Sequence, residues 1–129
     1  MSYIIGLGID LVDLDRIARI CAKGSQFAER ICTPQEWLYC ASLADPVPSL
    51  AARLAAKEAV SKALGTGLGA QCGIREIEVI LSNLGAPSLV LHGKAAQTAK
   101  KLGITSWSLS LTHSRVTAAA VVIASGEND

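Results

Sequence analysis

The segment LAARLAAKEAVSKAL places Arg53, Lys57, Glu58 and Lys62 within ten positions of one another. Three cations and a carboxylate at that density suit the handling of phosphate, and the glycine-rich GTGLG that follows could add backbone amides to a phosphate cradle. The loop is not a P-loop, because its glycines follow the helix and the G-x-x-x-x-G-K-[ST] spacing is missing. Taken alone, Glu58 and Lys62 are an ordinary i,i+4 surface pair worth roughly 0.2–0.5 kcal/mol. Asp10, in GLGIDLVDLDR, is the second carboxylate of interest. It could simply favour a helix start. With Glu58, however, it would give the oxygen-only donor set that magnesium prefers when a phosphate substrate completes its shell. A third group is His113 with Ser110, Thr112 and Ser114. A hydroxyl-rich hairpin turn, an anion or ribose contact, and a serine hydrolase remain open for it, although no G-x-S-x-G elbow is present. On residue chemistry alone the chain is a small soluble protein that fits a magnesium-dependent phosphate-ester enzyme.

These groups need elements to hold them. YIIGLGID is β-branched and apolar, with glycines at 6 and 8, and predicts a buried strand that ends near Asp10 with close backbone approach at the glycines. Asp10, Asp13 and Asp15 then crowd the start of LVDLDRIARICAKG, whose Leu14, Ile17, Ala18 and Cys21 recur at helical spacing. SQFAERIC reads as a short helix. TPQE supplies the next start, with Thr33 as N-cap, proline at the first position and Glu36 three residues after the cap. DPVPS breaks that helix. The long helix is expected from about Ser49 to Leu64, with alanines along one side, Arg53, Lys57, Glu58, Ser61 and Lys62 on the other, and Gly65 as its stop. IREIEVIL and SLVLHG are strands joined through SNLGAP, KAAQTAKKLG is an amphipathic helix, and WSLSLTHS and RVTAAAVVIA are strands around a tight turn at His113 to Arg115. Strands at both ends with helices massed between them indicate an α+β domain over 1–125, with 126–129 a frayed tail.

Composition excludes other classes. The 129 residues suffice for one core without staples. Twelve Lys and Arg against eleven Asp and Glu give net charge +1, which argues against nucleic acid as a partner. Half the residues are hydrophobic, but twenty are alanines, and no apolar run approaches the ~18 residues of a membrane span. The N-terminus has no basic flank, so no signal peptide is expected and the location is cytoplasmic. Cys21, Cys32, Cys40 and Cys72 form no C-x-x-C pair, and the histidines are only His92 and His113, so local spacing builds no zinc cluster and the cysteines read as core residues.

Together GLGIDLVDLDRI, FAERICTPQE, ARLAAKEAVSKALGTGLG, EIEVILSNLGAPSLVLHGKA and SLSLTHSRVTAAAVVIA resemble the holo-[acyl-carrier-protein] synthases, the small bacterial class of 4′-phosphopantetheinyl transferases. The resemblance implies the fold of that family, an antiparallel sheet packed with a long central helix and shorter helices. It also implies transfer of 4′-phosphopantetheine from coenzyme A to a serine of apo acyl carrier protein, in fatty acid and lipid metabolism, with release of adenosine 3′,5′-bisphosphate. By the same resemblance Asp10 and Glu58 hold Mg2+, Glu58 helps deprotonate the carrier serine, and Lys62 neutralises the departing phosphate. Arg53, Gly65, Thr66, Gly67, Gly85, Pro87, His113 and Ser114 match the nucleotide-contacting stretches, and Arg16, Phe27 and Arg30 match the region that meets the carrier. A homotrimer with active sites between subunits is implied as well. A noncatalytic carrier-protein or nucleotide-binding module on the same fold is the alternative, which intact Asp10, Glu58 and Lys62 disfavour.

Overall fold

The computed structural model describes residues 1–128. Strand β1 (Ser2–Asp13) leads into α1 (Leu14–Cys21), α2 (Gln26–Ile31), α3 (Pro34–Ala41) and the long α4 (Val47–Leu64). A single 3₁₀ turn, Ile74–Glu76, then precedes the hairpin of β2 (Ile77–Leu81) and β3 (Pro87–Leu91). Helix α5 (Gly93–Lys101) and the hairpin of β4 (Ser106–His113) and β5 (Thr117–Glu127) complete the chain. All strand pairing is antiparallel, in a three-stranded sheet ordered β1-β5-β4 and the separate β2-β3 ribbon. The expected α+β architecture is therefore present.

Helix α4 is the axis of the molecule. It lies across β1 and β5 and also meets α1, β4 and β2, and Leu50, Ala55, Ala59 and Val60 are essentially inaccessible. Close packing needs small residues on both surfaces. A Cβ at Gly8 would run into the Ala59 carbonyl, and one at Gly6 into the Ala63 carbonyl. The alternate residues of β1, Leu7, Ile9 and Leu11, face away from α4 and are 61–67% exposed. Cys32, Cys40 and Cys72 are buried and Cys21 half-buried, all as free thiols.

Several boundaries differ from expectation. Strand β1 does not stop at Asp10: it pairs through Asp13 with Thr117, so Asp10 sits mid-strand opposite Ala120. Helix α1 starts three residues later, where the Asp13 carboxylate accepts the Asp15 amide as N-cap. DPVPS contains the start of α4 rather than a break before it. Asp45 accepts the Val47 amide, and Pro48 occupies the first turn, where no amide donor is needed. The tail expected to fray is paired to Glu127, opposite Ser2, because β1 runs to the N-terminus and offers it a partner; Asp129 lies outside the described residues. The charged half of α4 is only partly solvated, with Lys62 exposed and Glu58 half-buried. Arg53, Lys57 and Ser61 are buried, since α1 to α3 and β2 cover the side of the helix that the alanines leave. No described helix is long and apolar enough to cross a membrane.

Candidate active site

Asp10 is presented by the face of β1 that meets α4, between Gly8 and Val12. The close strand–helix contact at the two glycines holds it over the helix. Its Oδ1 accepts from Lys62 Nζ at 3.0 Å, and the same ammonium donates to the Ile9 carbonyl at 3.0 Å. Asp10 is 19% exposed and Lys62 52%. Glu58 lies one turn earlier on the Lys62 side of α4. It is half-buried, and among the described residues its carboxylate has no hydrogen-bond or ion-pair partner. A buried or half-buried carboxylate left unpartnered is costly unless water or a cation supplies the missing contacts. The donor set is all oxygen, and no third Asp, Glu, His or Cys joins it among the described residues. Two carboxylates with the rest of the shell left to water and phosphate fit magnesium; they do not fit zinc.

A second surface gathers other expected residues. Arg53 of α4, Gly85 of the β2–β3 turn and His113 at the end of β4 line one groove of about 430 Å³, with Leu43, Pro48 and Thr112. A larger cleft of about 650 Å³ adjoins it, sharing His113, Asp45 and Pro48 and adding Ser114, Arg115 and α1 residues Leu14 and Asp15. Gly85 has φ +85°, and no atom lies within 4 Å of the place its Cβ would take, which leaves the turn open toward the groove. The two surfaces do not merge: the cavity at Asp10 and Lys62 is lined otherwise only by Ile9 and Leu11. Pro87 begins β3 beyond the Gly85 turn and lies outside the groove.

The glycine loop behaves differently from a phosphate cradle. The Gly65 amide donates to the Lys62 carbonyl, and those of Thr66 and Gly67 to the Ser61 carbonyl. These amides close the helix end instead of facing a ligand. Ser114 is likewise occupied as the organiser of its turn, its Oγ accepting from the amides of Val116 and Thr117. Of the residues matched to the carrier surface, Arg16 and Arg30 are exposed, while Phe27 is packed against the core.

Sequence reasoning missed a buried polar network around Glu36. Its Oε1 accepts from Lys57 Nζ at 2.6 Å and the Thr33 amide at 2.9 Å; its Oε2 accepts from the Val79 amide at 3.0 Å. Lys57 also donates to the carbonyls of Ile31 and Ile74. Burial pulls its ammonium below the ordinary lysine value, and Glu36 opposes that pull. Thr33 Oγ1 donates to Glu78, which His92 joins from outside at 3.0 Å. His92 and then Thr33 hold the Glu78 carboxyl below the usual glutamate range against the effect of burial. The capping box was legible, and it is present. That its glutamate also takes the charge of Lys57, twenty-one residues on, was not.

A family model described as the 4′-phosphopantetheinyl transferase superfamily matches residues 6–121. The chain is 52% identical over 121 residues to the holo-[acyl-carrier-protein] synthase of Nitratidesulfovibrio vulgaris, covering 93% of this chain and 97% of that one. It is similar in structure to the holo-[acyl-carrier-protein] synthase of Neisseria meningitidis, with TM-score 0.87, 39% identity and coverage of 95% and 98%. The Bacillus anthracis enzyme of the same description, solved in complex with coenzyme A (3′,5′-ADP), matches with TM-score 0.82, 34% identity and coverage of 96% and 98%. The chain belongs to the 4′-phosphopantetheinyl transferase superfamily and, within it, to the holo-[acyl-carrier-protein] synthases. It is therefore an enzyme, a transferase.

Proposed function

We propose that the chain transfers 4′-phosphopantetheine from coenzyme A to a serine of apo acyl carrier protein, with Mg2+ held by Asp10 and Glu58, and releases adenosine 3′,5′-bisphosphate. The observation that carries the reading is the unpartnered Glu58 carboxylate one turn from Lys62, which is itself paired with Asp10, in a chain whose relative was solved with coenzyme A. Bound there, the ion would neutralise pyrophosphate charge. In the transfer the serine oxygen forms a bond to the phosphorus that carries pantetheine, and the bond from that phosphorus to the bridging oxygen breaks. Glu58, engaged by no protein donor among the described residues, would also take the serine proton with the carboxylate oxygen that the ion leaves free. Lys62 exchanges Asp10 for the departing 5′-phosphate, whose growing charge it stabilises. Its reach is suited to this, because half of the side chain is already exposed. Arg53 and His113 hold the nucleotide in the second groove.

The separation of the two surfaces supports the homotrimer reading. One protomer has the Asp10–Lys62 cavity and the groove of Arg53 and His113 on separate surfaces, so a complete site would need both faces from neighbouring subunits. Leu7, Ile9 and Leu11, exposed beside Asp10, pair in register with Ile123, Val121 and Ala119 to form an apolar sheet face suited to burial between subunits. Arg16 and Arg30 would steer an acidic carrier protein. Incubation with apo carrier protein, coenzyme A and magnesium should add one phosphopantetheine mass to the carrier and release adenosine 3′,5′-bisphosphate in equal amount, read by mass spectrometry. An unmodified carrier overturns the assignment.

A further inference from the structure

Helix α4 brings two cations, Arg53 and Lys57, against the buried carboxylate of Glu36. Arg53 is 3% exposed, and Lys57 and Glu36 are inaccessible, so two cations compete for the oxygens of one carboxylate, while the neighbouring Glu78 carboxylate is engaged by Thr33 and His92. The Glu36 carboxylate is not shared evenly. Lys57 takes it at 2.6 Å, whereas Arg53 Nε stands 3.8 Å from Oε2 and has no hydrogen-bond partner. Lys57 has all three of its donors engaged, on Glu36, Ile31 and Ile74. Arg53 is steadied by other means. Its Nη1 donates to Ser49 Oγ at 3.0 Å, and its guanidinium carbon lies 5.0 Å from the centre of the Tyr39 ring. The cation left without a close carboxylate contact is therefore the one that lines the groove with Gly85 and His113.

We propose that the buried Glu36–Lys57 pair is a positioning device: Lys57 occupies the Glu36 carboxylate so that Arg53 keeps its charge for a phosphate of the nucleotide donor. Without Lys57, a carboxylate in this low-dielectric site draws the neighbouring guanidinium onto itself. The groove then loses its cation. The inference rests on the reading of that groove as the nucleotide half of the site.

The test is steady-state kinetics with coenzyme A and apo carrier protein, each variant checked by circular dichroism. Lys57→Met should raise KM for coenzyme A by about tenfold, with kcat changed by less than about threefold, the size expected when one charge-assisted contact is weakened. The double variant Glu36→Gln/Lys57→Met removes both members and should return KM to within about threefold of the starting value. Rescue by a second substitution is what a packing role would not produce. If Arg53→Ala raises KM but Lys57→Met does not, the positioning role is overturned and the groove stands. If Arg53→Ala leaves KM unchanged in an active enzyme, the groove reading fails and the inference with it. Should Lys57→Met not fold, Lys57→Gln keeps a donor for Ile31 and Ile74 and carries the same expectations. Failure of both to fold would assign the pair to stability alone and overturn the proposal.

Discussion

Glu58 and Lys57 are neighbours in sequence, yet they stand in opposite environments. Lys57 points into the core, where its charge is matched by Glu36 and its three donors are filled. Glu58 is half-buried and remains unpartnered, one turn from Lys62, whose pair with Asp10 is partly open to solvent. Both clusters combine carboxylates with cations of α4, one drawing its partner carboxylate from α3 and the other from β1. Saturation distinguishes them: a carboxylate whose oxygens are all satisfied by the protein organises structure, while one left unsatisfied is available to an ion or a reacting proton.

The same change at the two glutamates puts this contrast to its hardest test. Glu36→Gln leaves two buried cations without their counter-ion, and we expect a loss of about 3–5 kcal/mol in stability, measured by denaturant unfolding. Glu58→Gln should leave the unfolding midpoint nearly unchanged while lowering transfer by at least about a hundredfold. Equal effects of the two on stability would erase the distinction. Gly8→Ala probes the scaffold beneath the outward cluster. Because the added methyl meets the Ala59 carbonyl, β1 must move away from α4, at about 1–3 kcal/mol, and activity should fall as Asp10 is displaced. An unchanged melting temperature would show that the contact at Gly8 has slack.

Acid titration gives the smallest effect. Glu78 is held below its ordinary value of 4.5 first by His92 and then by Thr33. Glu76 is held below the same value by the amide of Gly73 and then by that of Lys94. A carboxyl with a lowered folded value contributes stability that is complete above the unfolded value and is lost as pH falls toward the folded one. Thermal melts should therefore hold steady down to about pH 4.5 and decline below it, with a shallower decline in Glu78→Gln. A curve unaffected by that substitution would remove Glu78 from the network's pH dependence.

Much of the fold was legible in particular residues. Thr33-Pro34-Gln35-Glu36 encodes its capping box locally, and Gly65 stops α4 with φ +79°. The strands failed at their ends, where the information is nonlocal. Asp13 and Glu127 are in strands because Thr117 and Ser2 lie opposite them, and no property of Asp or Glu announces it. Of the candidate site, Asp10 and Lys62 were singled out by type and meet as an ion pair, and Glu58 lies one turn from Lys62 on α4. The Thr66 and Gly67 amides were misread as ligand donors because a helix end and a phosphate compete for the same groups, and here the Ser61 carbonyl takes them.

By itself the sequence determined the helix and strand periods, the capping signals and the charged residues available to chemistry, all set by neighbours within a few positions along the chain. Tertiary structure decided which cation became a core counter-ion and which faced the groove. Arg53, Lys57 and Lys62 have similar local surroundings in sequence, and only the burial of one side of α4 by α3 and β2 separates them. A charge costs little in water and much in the core, so the position of those covering elements, far along the chain, fixes what each residue can do.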